Sequence, residues 1–138
     1  MKSGPARAVV FLGVVYSITG IVSGTLASQA ASHQAVLAWR WAAWLVSAIV
    51  FGAHIVYEQV RLSASPKITA LHVSTAAGLG AFGLAVAANV HARVVSPNRH
   101  SLILLLSLAI WPIMTALPAF AVALVSAVLF ARVRRTGH

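Results

Sequence analysis

Three residues of this chain have the side chains and the spacing to do chemistry together: His54, Glu58 and His72. Glu58 is the sole acid among 138 residues. His54 stands four positions before it, which sets imidazole and carboxylate one turn apart on the same side of a helix. His72 follows beyond a basic turn that runs from Arg61 to Lys67. At 1.5 Å per helical residue, His54 lies about 10 Å before Arg61 and His72 about 7.5 Å after Lys67. An antiparallel hairpin would therefore bring both imidazoles to a similar depth.

Two imidazoles and a carboxylate suit a transition metal. Two imidazoles alone could ligate the iron of a haem b lying between helices, and the three groups together could pass a proton. His54, His72 and Glu58 are thus the candidate cofactor-binding residues. A plainer reading leads, however. Arg61 is three residues beyond Glu58 on the same face, so the two can neutralise each other as an ion pair at a membrane border. The histidines would then only hydrogen-bond a Ser or Thr across a helix contact.

The elements that must position these residues follow from composition. The chain is 60% hydrophobic and 8% charged, whereas a soluble domain carries roughly 25% charged residues. So few charges cannot cover a water-facing globule, and a mean hydropathy of +0.92 places the chain among polytopic membrane proteins. The net charge of +9 does not signal nucleic-acid binding. The ten Lys and Arg residues sit at the borders of apolar runs rather than along one polar stripe, where they set topology and meet anionic headgroups. There is no cysteine, which excludes disulfides, thiolate metal sites and cysteine nucleophiles.

Four apolar segments predict four membrane helices, over about 8–27, 36–60, 68–94 and 101–131, in a single membrane domain spanning 1–138. The first follows a basic head and so resembles a secretory leader. Its length, and the interruptions at Tyr16, Ser17 and Thr19, favour a retained span over a cleaved one. Gly13, Ser17, Gly20, Gly24 and Ser28 form a groove of small residues along it. In the second helix Trp39, Trp41 and Trp44 read as an aromatic belt at headgroup level. Arg40, Trp44, Ser47, Phe51, His54, Glu58 and Arg61 recur at steps of three and four, so they share one side. Polar residues so aligned should face the interior of a bundle.

Ser65 and Pro66 suit the N-cap and first position of the third helix. That helix carries a second small-residue face, His72, Ala76, Gly80, Gly83, Ala87 and His91, and the simplest packing sets it against the groove of the first helix. His91 is 19 residues from His72, about 28 Å along the helix, and so belongs near the opposite end with His33, Arg93 and His100. These four read as solvated residues at headgroup level, as an alternative to a pH-sensitive or metal-binding patch. Asn89 can bridge helices through its amide. Pro112 and Pro118 allow the long fourth segment to kink or tilt.

With four spans, Lys2, Arg7, Arg61, Lys67, Arg132, Arg134 and Arg135 lie on one side, against Arg40, Arg93 and Arg99 on the other. The excess puts both termini in the cytoplasm and suggests a bacterial-type cytoplasmic membrane. No hydrolase serine motif, phosphate-binding loop or dinucleotide fingerprint appears, and the loops are too short for an independent soluble site. The sequence therefore points to an all-α, non-enzymatic membrane protein. Its expected partners are the bilayer and a membrane-protein partner or second copy packed through Gly20, Gly24, Gly80 and Gly83. A redox or proton-transfer module using His54 and His72, and a small proton-coupled transporter using Glu58, are the alternatives.

Overall fold

The computed structural model describes residues 4–95 and 102–136. It is all-helical: α1 spans Gly4–Ser28, α2 His33–Val60, α3 Pro66–Val95 and α4 Leu102–Thr136. Each helix is long and apolar enough to cross a membrane.

Most helices outrun the apolar segments that announce them. α1 begins at Gly4 and takes in Arg7, and α4 continues through Arg132 and Arg134. Charge marks where an apolar segment ends, but Arg is a good helix former, so the backbone ladder continues past it. Pro5 falls in the first turn of α1, where a missing N–H costs nothing. Pro112 and Pro118 lie inside α4, and neither ends it.

The short connections are built from caps. Ser32 accepts a hydrogen bond from the Ala35 N–H at 3.2 Å and starts α2. α2 closes where the Arg61 N–H donates to the Tyr57 carbonyl at 2.9 Å. Ser63 then takes a positive φ of 49°, a conformation that costs a non-glycine residue about 1 kcal/mol, and turns the chain back. Ser65 caps α3 by accepting from the Ile68 N–H at 3.4 Å, with Pro66 in the first position as its fixed φ allows.

α3 is the central helix, packed on α4, on α1 and, at one end, on α2. It runs parallel to α1 and antiparallel to α4. Along α1, Gly13 faces Leu79 and Gly20 faces Leu84. Gly80 lies so close to Tyr16, and Gly83 to Ser17, that neither has room for a Cβ. The Ser17 hydroxyl donates across this contact to the Gly80 carbonyl at 3.2 Å. The two small-residue faces thus meet, as close backbone approach requires. Of the four glycines expected to receive a partner, Gly20, Gly80 and Gly83 are filled by side chains of this chain, and only Gly24 faces open space. The core sits where α2, α3 and α4 converge, with Ile55, Ala70, Val73, Ala123 and Ala127 buried and Phe51, Phe120 and Leu124 packed around them.

Candidate functional site

The same convergence of α2, α3 and α4 holds the candidate residues. The turn at Arg61–Ser65 reverses the chain, so the last turn of α2 lies against the first turns of α3. This brings His54, Glu58 and His72 together.

Glu58 is fully buried, and both of its carboxylate oxygens lie 3.1 Å from His72 Nδ1. An ionised Glu58 requires the Nδ1–H of His72 to donate to both. His54, also buried, sets Nε2 3.6 Å from Glu58 Oε1, outside hydrogen-bond length. Neither ring nitrogen of His54 has a hydrogen-bond partner among the described residues. The His72 side chain is 27% exposed, so the cluster has a closed end at His54 and an open end at His72. In so enclosed a setting the charge-assisted contact between α2 and α3 is stronger than it would be in water.

Glu58 does not pair with Arg61. Its partners are the two histidines, and Arg61 is exposed. The border ion pair expected from spacing fails because Arg61 is the C-cap of α2, where the chain leaves the helix towards the turn. The geometry also bears on the cofactor readings. The carboxylate stands between the two imidazoles, so a haem iron placed there would have to displace it. Among the described residues, no group of three or more His, Cys, Asp or Glu side chains is arranged to hold a metal ion.

Beside this cluster sits a second set of polar contacts that sequence reasoning missed. Gln59 is buried and donates through Nε2 to Thr69 Oγ1 at 2.8 Å and to the Ala64 carbonyl at 3.1 Å. Arg134 reaches from α4 to donate to the Gln59 carbonyl at 3.2 Å. The available signal was a lone amide beside Glu58, which says nothing of Thr69, ten residues on. Farther along α3, Asn89 does bridge helices. Its Nδ2 donates to the Leu104 carbonyl at 2.8 Å and to Ser107 Oγ at 3.2 Å on α4.

The polar side of α2 faces the interior only in its second half. His54 and Glu58 are buried and Phe51 is half-buried, but Trp44 is 73% exposed and Arg40 is exposed. The buried contacts of α2 with α3 and α4 involve Ile55, Glu58 and Gln59 of its second half, while Arg40 and Trp44 of its first half face α1. There Arg40 and Trp44 line an open cleft against Gly20, Gly24 and Ala27 of α1. His33, His91 and Arg93 are exposed at the other end of the helices from the Glu58 cluster. Arg99, His100 and His138 lie outside the described residues.

No family model, curated protein or solved structure matches the chain. The functional reading therefore rests on the geometry alone.

Proposed function

We propose that this chain is a multi-pass integral membrane protein, inserted in a bacterial-type cytoplasmic membrane with both termini in the cytoplasm. It works as a non-enzymatic, helix-packing component of a membrane assembly. One observation supports the packing role: polar side chains at the helix contacts, buried or partly buried, tie helix to helix within the chain. Ser17 joins α1 to α3, the Glu58–His72 pair and Gln59 join α2 to α3, and Asn89 joins α3 to α4. Insertion is supported by the large apolar side chains that face outward on all four helices, among them Phe11, Ile49, Phe82 and Met114. Orientation is supported by the excess of Lys and Arg on the side of the two termini and the 61–67 turn.

The test uses the natural absence of cysteine. Single cysteines introduced at Ser3 and Ser63 should resist an impermeant thiol reagent in intact cells, whereas one at Ala30 should react. The reverse pattern overturns the orientation. Extraction in mild detergent should recover the protein with a partner, and recovery as a lone monomer overturns the assembly role.

A second reading is proton transfer, as a module or as a small proton-coupled transporter. It is favoured by the gradient of exposure within the cluster, from enclosed His54 and Glu58 to partly exposed His72. A proton reaching Glu58 would pass through the imidazole bonded to it. Proton flux into proteoliposomes that persists unchanged in Glu58→Gln removes this reading.

A further inference from the structure

We propose that the cleft between α1 and α2 is a binding site for an anionic phospholipid. Arg40 takes the phosphate, and an acyl chain lies in the cleft against Gly24 and Ala27 of α1 and Trp44 of α2. This inference rests on the membrane insertion proposed above.

The cleft is open on one side and has a volume of about 430 Å³, within the roughly 300–1,000 Å³ of ligand-sized sites. Its α1 wall is made by Gly20, Ser23, Gly24 and Ala27, and its α2 wall carries Arg40 and Trp44. Gly24 has no atom of any neighbour where a Cβ would reach. Across the contact of α1 with α3, by contrast, Gly13 and Gly20 of α1 and Gly80 and Gly83 of α3 are each filled closely by a side chain. The small-residue face of α1 is therefore covered by α3 from Gly13 to Gly20 and left open at Gly24.

Charge identifies the occupant. Arg40 is the cleft's only charged residue. The single acid of the chain, Glu58, lies 18 residues further along α2 (58 − 40), about 27 Å away at 1.5 Å per residue. Glu58 is also already held by His72. No Asp or Glu side chain is left to pair with Arg40, so a phosphate at its depth meets no competing side-chain carboxylate. Trp39, Trp41 and Trp44 flank Arg40 and mark the depth of the headgroups. The charge available at that depth is phosphate, which a guanidinium binds through two parallel hydrogen bonds. Below it, the apolar cleft wall and the exposed ring of Trp44 offer a seat to a hydrocarbon chain and nothing to a soluble anion.

Native mass spectrometry of the full chain in mild detergent, titrated with phosphatidylglycerol, phosphatidylcholine or inorganic phosphate, tests the proposal. Phosphatidylglycerol should bind at least tenfold more tightly than phosphatidylcholine. Arg40→Gln should remove that preference, Arg40→Lys should restore part of it, and Gly24→Leu should weaken both lipids by occupying the cleft. Inorganic phosphate should not compete.

Equal retention of the two lipids by the unaltered protein overturns the proposal, and needs no variant to fold. Unchanged selectivity in Arg40→Gln also overturns it, as does displacement by inorganic phosphate, which would make the ligand a free anion. Cross-linking of a cysteine at Gly24 to another polypeptide would make the occupant a helix and would refute the lipid. Alkaline extraction of membranes separates the two levels of the reading. Protein that stays in the membrane yet shows no lipid preference sinks this inference alone, while protein released by alkali sinks the insertion beneath it.

Discussion

Removing the imidazole of His72 should expose how far the α2–α3 contact depends on the buried acid. In His72→Ala, Glu58 keeps its enclosure but loses the donor that meets both carboxylate oxygens at 3.1 Å. What remains is His54, at 3.6 Å and not hydrogen-bonded. Leaving one member of a buried pair without its partner costs about 3–5 kcal/mol. The partial exposure of His72 admits some relief from outside, so the lower end, about 3 kcal/mol, is expected. Glu58→Ala should cost less than this, because the imidazole it abandons is partly exposed and can find another hydrogen-bond partner. The double variant should be milder than the sum of the two. A coupling of about 1–2 kcal/mol fits a charge-assisted hydrogen bond between helices. Reversible unfolding in mixed micelles, followed by helicity, measures all four corners of the cycle. Arg61→Ala in the same assay should leave stability unchanged, because Arg61 is exposed and does not meet the carboxylate. A coupling below about 0.5 kcal/mol, within the error of additivity, would refute the clasp. A loss in Arg61→Ala as large as that in His72→Ala would restore the border ion pair.

Two further perturbations probe the helix contacts around this centre. Gly80→Leu drives a side chain into Tyr16 and the Gly13 carbonyl, and overpacking of this kind costs about 1–3 kcal/mol; the same unfolding assay should register it, and an unaltered midpoint would show that α1 does not lie on α3 there. Tyr16→Phe removes a buried hydroxyl that has no hydrogen-bond partner among the described residues, so stability should hold or rise by up to about 1 kcal/mol, and a clear loss would reveal a partner for that oxygen.

The helices were legible because each is a long apolar segment bordered by charge and turn residues, and the cap at Ser65–Pro66 is a local signal. The meeting of His54, Glu58 and His72 was legible for a related reason. Depth along a helix is additive, so residues at equal distances from a tight turn must meet if the turn makes a hairpin. The identity of the partner of Glu58 was not legible. Arg61 is three residues away in sequence and His72 fourteen, and spacing rewards the nearer one. What decides is that α2 ends at Val60, which sends Arg61 outward with the turn while the first turns of α3 cover the carboxylate. Gln59 was hidden similarly, because its acceptor Thr69 belongs to the next helix.

α2 shows most directly how far periodicity can be pressed. Arg40, Trp44, Phe51, His54 and Glu58 do fall on one side of it, as their spacing requires. That side is buried under α3 and α4 at His54 and Glu58, and open beside α1 at Arg40 and Trp44. Periodicity reports a face, whereas burial depends on whether another helix arrives to cover it. At the Glu58 end a helix arrives, and the chain meets its only acid with two histidines, His72 at hydrogen-bond distance and His54 just beyond it. At the Arg40 end none arrives, and the chain has no acid left with which to answer the cation. One continuous face therefore carries a site completed within the protein and a site that its surroundings must complete.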